Sequence, residues 1–337
     1  MSKQKKIIID AMGGDNAPLE IIKGVLLAKK EYNITPILVG DENVIKKCCD
    51  DNNISLDDIK TVNSNSVITM HDDAKCVLKE KADSSMSIGF KLLNENEGDA
   101  FVSAGNTGCV TVGSTLITKR IKGVKRPAIA SVMPSANKPF LLMDCGANSE
   151  CRAEFLYQFG EMGSLYMNKI MKVQNPRVAL ANNGEESTKG TPMVKEAYAL
   201  MKNAPYNFIG NIEGWQIPFG DADVVVADGF TGNLILKMYE GVAKVLMNGF
   251  KNAFMKSPIS KLSYLGVKSG IDEMKTKFDY KEYGGAVMLG VKKPVIKAHG
   301  SADARTFKNA IKQAVWFLDN DLIPAMESEF KLITQEA

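Results

Sequence analysis

Val224-Val225-Val226-Ala227-Asp228-Gly229-Phe230-Thr231-Gly232-Asn233 passes in ten residues from an uninterrupted β-branched run to a Gly/Thr/Asn turn. Beyond it, apolar residues recur at helical spacing, which predicts a helix over Phe230–Phe254. A strand with no polar alternation is buried on both faces, as in a largely parallel sheet covered by helices. The same change of pattern recurs along the chain. Strands are predicted at Lys6–Asp10, Pro36–Val39, Ile59–Asn63, Ala100–Ser103, Ala128–Met133, Phe140–Asp144, Val178–Ala181, Asn207–Gly210, Val224–Ala227 and Val295–Ala298. Helices are predicted at Leu19–Tyr32, Asn43–Asp50, Ser85–Asn94, Phe155–Met171 and Pro192–Met201, besides the one already named. Asp303–Lys331 reads as one or two amphipathic helices broken near Pro324. The expected fold is a three-layer α/β/α sandwich around a largely parallel sheet.

With 337 residues, the chain has room for about two domains of ~150 residues or one large α/β unit. No internal repeat, low-complexity stretch or Pro/Ser-rich linker divides it, so a single α/β domain over residues 1–337 is expected. A net charge of +3 is too mild to argue for nucleic acid. Only His71 and His299 are histidines, which excludes a three-histidine zinc site. The six cysteines form no C-x-x-C pair, so a zinc ribbon and a thioredoxin-like redox motif are both out. Neither a metal nor a cofactor is expected. Lys3-Gln4-Lys5-Lys6 runs straight into Ile7-Ile8-Ile9-Asp10, which is no signal peptide, and no run of 18 apolar residues occurs. The expected compartment is the cytoplasm, with thiols reduced.

The informative residues stand where strands stop. Asp10-Ala11-Met12-Gly13-Gly14-Asp15, Ser103-Ala104-Gly105-Asn106-Thr107-Gly108 and Asp144-Cys145-Gly146-Ala147-Asn148 are three such blocks. Asn182–Gly190, Asp228–Asn233, Tyr283-Gly284-Gly285-Ala286 and the short His299-Gly300-Ser301 are others. In open α/β sheets ligands bind outside the carboxyl ends of strands, where glycines allow close approach and helix N-termini favour anions. Any one block alone is an ordinary βα turn. Their number, and the Asn, Thr and Lys among the glycines, point to an anionic ligand, most simply a phosphate.

The usual phosphate and nucleophile signatures are absent. No two glycines are spaced i, i+2, so G-x-G-x-x-G is missing. Gly184-x-x-x-x-Lys189-Gly190-Thr191 has the Lys and Gly of a P-loop transposed, and no G-x-S-x-G elbow occurs. Covalent catalysis by a His-activated Ser or Cys is therefore poorly supported. Cys109, Cys145 and Cys151 read as small buried residues.

Between Gly241 and Ile271 lie five lysines and no acid, with Val242, Val245, Leu246, Phe250 and Phe254 at helical spacing. Met255 and Pro258 interrupt, then Ile259, Leu262 and Leu265 follow. A basic amphipathic stretch with exposed aromatics reads as a membrane-surface element or as a dimer-forming helix with a solvated lysine face. Residues 238–278 are expected to form an inserted helical arm, with Phe250, Phe254, Ile259, Leu262 and Leu265 as its membrane contacts.

Taken in order, Asp10–Asp15, Ser103–Gly108, Asp144–Asn148, Asn183–Gly190, Asp228–Asn233, Tyr283–Gly290 and His299-Gly300 resemble the signature blocks of the PlsX family, the acyl-acyl-carrier-protein:phosphate acyltransferases. The resemblance spans nearly the whole chain. It implies a fold related to phosphotransacetylases and isopropylmalate dehydrogenases, in a homodimer peripherally associated with the cytoplasmic face of the cell membrane. It further implies transfer of a long acyl chain from acyl carrier protein to inorganic phosphate. The acyl phosphate would pass to a membrane glycerol-3-phosphate acyltransferase.

Phosphate is already largely dianionic near neutral pH, so the work required is positioning it and stabilising the oxyanion. Lys189 is expected to hold phosphate or polarise the carbonyl, and His299 to donate to phosphate or protonate the leaving thiol. Asn106, Asn233 and the N–H groups of Gly13, Gly14, Gly105 and Gly232 are candidate neutral donors. Thr107, Gly108, Asn148 and Asn183 complete the predicted substrate-binding set. Asp10, Asp15 and Asp228 are expected to orient Lys189 or the asparagines. Two other readings stand beside this one: a short-chain phosphotransacetylase-like enzyme using acyl-CoA, and a non-catalytic membrane scaffold for lipid-synthesis enzymes.

Overall fold

Ile7 and Ile9 face one side of the first strand and Ile8 the other, and all three are fully buried. That single alternation builds both interfaces of the molecule, because side chains on a strand alternate between faces. In the computed structural model, which describes residues 4–278 and 280–336, eleven strands form one continuous sheet. Residues 1–3, 279 and 337 of the expected 1–337 unit lie outside the described residues.

The strands are β1 (Lys5–Asp10), β2 (Ile34–Gly40), β3 (Lys60–Asn63), β4 (Ala100–Ser103), β5 (Ala128–Met133) and β6 (Phe140–Met143). They continue with β7 (Val178–Asn182), β8 (Phe208–Glu213), β9 (Val224–Val226), β10 (Gly285–Leu289) and β11 (Val295–Ala298). Their order across the sheet is β3-β2-β1-β4-β11-β10-β5-β6-β9-β7-β8. Seven of the ten pairings are parallel. The three antiparallel ones, β11–β10, β10–β5 and β5–β6, sit together in the middle. Two parallel halves of opposite direction are thus joined by a short antiparallel bridge.

Ten helices among the described residues cover the faces: α1 (Leu19–Glu31), α2 (Glu42–Asp51), α3 (Ser85–Asn94), α4 (Thr107–Gly113) and α5 (Ala153–Lys169), then α6 (Pro192–Met201), α7 (Gly229–Met255), α8 (Pro258–Phe278), α9 (Ala304–Asp319) and α10 (Leu322–Glu336). Residues of α1, α5, α9 and α10 share a core with Ile7, Ile9, Leu141 and Val224 on one face. On the other, Phe90 of α3 and the first turns of α4 and α7 meet Ile8, Phe101 and Leu142. This is the three-layer arrangement that the strand pattern predicts.

Local chemistry starts the helices. Asp41, Ser84, Asn106, Thr191, Asp228 and Asp303 each accept an N–H of the following turn, an N-cap contribution of typically ~1 kcal/mol. The interruption read at Met255 and Pro258 is the break between α7 and α8, and Pro258 opens α8, where a missing N–H costs nothing. Ser257 Oγ accepts the Ser260 N–H beside it at 3.1 Å. The C-terminal break falls at Asn320–Asp321, where Asp321 adopts φ 48°, and Pro324 sits inside the first turn of α10. The Gly284-Gly285 block, read as a turn, leads into strand β10, which has no counterpart in the sequence reading.

Candidate active site

A cleft of about 490 Å³ opens over the antiparallel bridge, lined by Ile129 and Ser131 of β5, Ala286 of β10 and Lys297 of β11. Three loop systems close round it.

The first joins the ends of β1 and β11. Asp15 N–H donates to Gly300 O at 2.8 Å, and Asn16 Nδ2 donates to Ala302 O at 3.2 Å. Asp15 and the stretch Lys297–Ser301 line the cleft here. Behind them Asp10 is buried, accepting Ser85 Oγ at 2.6 Å and Ser103 Oγ at 2.7 Å. A Cβ on Gly13 would fall 2.5 Å from Asp10 Oδ2 and 2.8 Å from Gly105 N, so these three residues are packed backbone against carboxylate.

The second wall is the start of α4, where Thr107 and Gly108 face the cleft. Asn106 anchors that turn from within. Its Oδ1 accepts the Cys109 N–H at 3.1 Å, and its Nδ2 donates to the carbonyls of Thr69, Met70 and Asp72 at 3.2–3.3 Å.

The third wall is the loop after β6 with the first turn of α7. Asp144, fully buried, accepts the N–H groups of Ile129, Gly146 and Ala147 on Oδ1, and those of Asn148 on Oδ2. Burial pushes its carboxyl up, and these donors oppose the shift. Asn148 also donates to Pro127 O at 2.8 Å. A Cβ on Gly232 would lie 1.9 Å from Asp144 O, so only glycine lets α7 start this close. Asp228 caps the helix, accepting Thr231 N–H at 2.9 Å and Thr231 Oγ1 at 2.7 Å. That start places Asn233, Leu236, Lys237 and Glu240 along the cleft.

Electrostatics single out two neighbours on β11 and its exit. Burial lowers the Lys297 ammonium to about 8, against the pull of Asp10 and Asp15, while its Nζ donates to Ala104 O at 3.3 Å. Burial also lowers His299, and the cations Lys297, Lys244 and Lys237 add to that while Glu240 opposes it. Ser301 N–H donates to His299 Nδ1 at 3.2 Å, which assigns the neutral ring's proton to Nε2. Ser301 Oγ stands 2.9 Å from the same nitrogen, so a Ser–His contact that no sequence motif announces does exist. Cys145 lines the cleft as a neutral thiol: burial drives it far above its usual range, and Sγ donates to Leu142 O.

The sequence profile of the fatty acid synthesis protein family matches residues 5–324. The chain belongs to that family. It is 45% identical over 318 residues to a phosphate acyltransferase of Alkaliphilus oremlandii, covering 94% of this chain and 95% of that protein. It is 43% identical over 327 residues to one of Clostridium novyi, covering 97% and 98% respectively. In fold, this member of the fatty acid synthesis protein family is similar to a phosphotransacetylase from Streptococcus pyogenes, with TM-score 0.63, 19% identity and 95% of each chain covered. It also resembles 4-hydroxythreonine-4-phosphate dehydrogenase from Klebsiella pneumoniae, with TM-score 0.54, 14% identity, and coverage of 93% of this chain and 99% of that one.

Within the family's matched span, the cleft gathers Asp15, Thr107, Gly108, Asn233 and His299 from the predicted set. Asp10, Gly13, Gly14, Gly105, Asn106, Asn148, Asp228 and Gly232 stand behind them as the frame. Lys189 and Asn183 are exposed on the loop after β7 and do not line it. Gly184 packs under Lys189, where a Cβ would meet Lys189 Cγ at 2.8 Å. Sequence reasoning missed Lys297, Lys237 and Ser131. Lys297 had a readable signal, as the one cation inside the otherwise apolar strand Val295–Ala298. Among the described residues, no group of three or more His, Cys, Asp or Glu side chains is placed to hold a metal ion.

Proposed function

We propose that this cleft transfers a long acyl chain from acyl carrier protein to inorganic phosphate. The chain is an acyltransferase of fatty acid and phospholipid synthesis with phosphate as acceptor. The observation that carries the site assignment is Lys297 and His299, two residues apart and both facing the cleft that Asn233 closes. A hydrogenphosphate dianion beside the Lys297 ammonium takes the His299 Nε2–H on one oxygen. Another oxygen attacks the thioester carbonyl, the C–O bond forms, and the C–S bond breaks through a tetrahedral oxyanion. Asn233 and the Ser131 hydroxyl are the neutral donors for that oxyanion, whose stabilisation is the largest single demand. In balance, the proton of hydrogenphosphate ends on the released thiol. The neutral Cys145 supports direct attack, since a thiol held far above its usual range is no nucleophile.

The α7–α8 hairpin is proposed to bring the enzyme to the cytoplasmic face of the cell membrane as a homodimer, where a glycerol-3-phosphate acyltransferase consumes the product. No residue of α8 is buried, and Ile259, Leu262 and Leu265 are 79%, 69% and 68% exposed. Phe250 is exposed on α7, and the Phe254 ring lies tilted against Tyr264 across the hairpin, with centroids 5.3 Å apart. Among the described residues, no helix is long and apolar enough to cross a membrane.

The test is release of free carrier thiol from a long-chain acyl-carrier thioester. Release that needs added phosphate is expected, and phosphate-independent release overturns the assignment. Faster turnover of acetyl-CoA would move the enzyme to the short-chain class. Vesicle binding without any turnover would leave a scaffold.

A further inference from the structure

A second concave region lies beyond the far end of α4. Two adjoining hollows of about 710 and 450 Å³ share Thr115, Leu116 and Arg120. Seven cations line the pair against two acids, Glu150 and Glu154. Three of the chain's five arginines, Arg120, Arg126 and Arg152, are here. Part of this charge is fixed in place. The Arg120 guanidinium donates to Lys125 O, the Lys125 ammonium pairs with Glu154, and Arg126 lies 5.8 Å from the Phe155 ring centre. Lys119, Lys122, Arg152 and Lys292 are exposed around them. Amid these cations Leu116 is 57% exposed.

We infer that this basic groove is the docking surface for the acidic acyl carrier protein. The inference rests on the carrier-thioester reading above and places the donor's protein part. A positive concave surface steers an acidic partner and sets its orientation, and arginine, of which three line the hollows, is enriched among interface anchors. Two elements connect the groove to the cleft. Helix α4 begins at Thr107 and Gly108 in the cleft, and its continuation reaches Thr115 in the groove. Eight residues at 1.5 Å rise make that path about 12 Å, a distance an extended pantetheine arm covers. The loop after β6 runs alongside, from Cys145 and Gly146 in the cleft to Cys151 and Arg152 in the groove. A carrier seated on the groove therefore has a route for its thioester to the phosphate site. Lys251, Lys256, Lys261 and Lys268 of the α7–α8 arm line neither the cleft nor these two hollows.

The test compares two donors on charge-reversed protein. Lys122→Glu/Arg152→Glu is one variant. Lys119→Glu/Lys292→Glu is a second, altering only exposed side chains with no ion pair among the described residues. With long-chain acyl carrier protein, each is expected to raise KM at least tenfold and flatten the dependence of kcat/KM on salt. With a long-chain acyl-pantetheine, which lacks the carrier, kcat/KM is expected to stay within twofold of wild type. Unchanged KM for the carrier donor in both variants overturns the dock. An equal fall with both donors also overturns it, and with an altered oligomer size would assign the groove to a subunit contact. Wild-type protein that turns over acyl-pantetheine but no carrier thioester overturns the carrier reading itself, and the dock with it.

Discussion

The Asp15 N–H donates to the Gly300 carbonyl at 2.8 Å, so the loops after β1 and β11, nearly 300 residues apart in sequence, form one ledge of the cleft. Gly14 makes that closeness possible. It adopts φ +102°, and a Cβ there would lie 2.9 Å from both Gly300 O and Ala104 Cβ. Gly14→Ala combines a disfavoured backbone with a collision, at a cost of about 1–3 kcal/mol. A lower Tm is expected, with a fall in kcat/KM larger than the stability loss explains, because the His299 loop shifts with the ledge. Wild-type kinetics in the alanine variant would show that the ledge does not position His299.

Lys297 carries opposite consequences for stability and activity. Its ammonium is lowered to about 8 from 10.5 by burial, so folding opposes its charged form. The folded state binds fewer protons between these values, and wild-type stability rises with pH from about 8 to 10.5. Lys297→Met is accordingly expected to raise Tm below pH 8, the gain shrinking above it. The same variant loses the cation proposed to face phosphate, which typically costs ~10²-fold or more in kcat. Wild-type KM for phosphate should climb as pH passes 8. Lys189→Ala, altering an exposed loop outside the cleft, is expected to cost less than tenfold, and the reverse ranking would return the phosphate to Lys189.

Ser301 sits where a nucleophile would, 2.9 Å from His299 Nδ1. Yet that nitrogen also accepts the Ser301 backbone N–H, so the contact is a local turn that orients the ring. Direct attack by phosphate predicts that Ser301→Ala keeps turnover within about tenfold, the effect of a loosened imidazole. Rapid-quench mass spectrometry should find no acyl-enzyme in wild-type protein. A stoichiometric burst that Ser301→Ala abolishes would replace direct attack with an acyl-serine route.

What the sequence discloses follows the range of the forces involved. Parallel strands such as β1, β4 and β9 lie where apolar runs place them, since burial on both faces leaves a local mark. Strand β10 leaves none: Gly284-Gly285 reads as a turn until Lys297 O is found 2.5 Å from where a Gly285 Cβ would stand. The glycine blocks point to the cleft because close approach of backbones demands glycine at Gly13, Gly14 and Gly232. Composition does not tell a residue that lines the cleft from one that braces it. Asn106 and Asn233 look alike in sequence, yet one spends its amide on the 69–72 loop and the other faces the cleft. Lys297 stands out in sequence only as a cation in an apolar strand; its lowered pKa comes from desolvation, which depends on strands far away in the chain.

Glu161 is the least comfortable group in the core. It is 3% exposed, neither carboxyl oxygen has a hydrogen-bond partner among the described residues, and burial with nearby Glu329 raises it to about 7 from 4.5. The folded state therefore holds a proton that the unfolded chain releases, and the associated stability is lost as pH rises from 4.5 through 7. Glu161→Gln is expected to be close to neutral at pH 4 and to stabilise by about 2–3 kcal/mol at pH 8. Urea denaturation at the two pH values measures this. Equal ΔΔG at both would mean the carboxyl is neutral throughout or paired in the assembled protein.

The arm supplies the last prediction. Leu262 and Ile259 stand on a helix with no buried residue, on a hairpin whose lysines Lys251, Lys256, Lys261 and Lys268 offer attraction to anionic headgroups. Each apolar side chain leaving water is favourable by about 1.5–3 kcal/mol, and a basic residue near an anionic surface adds about 1. Leu262→Asp removes the first contribution and places a negative charge against the headgroups, so loss of at least tenfold in affinity for anionic vesicles is expected. Phe254→Asp should act similarly, while also loosening the hairpin by removing the ring contact with Tyr264. Turnover of a water-soluble donor should persist in both, because the cleft takes nothing from α7 beyond its first turns. Retained sedimentation with vesicles, together with dissociation into monomers, would give these side chains to the partner subunit instead of the lipid.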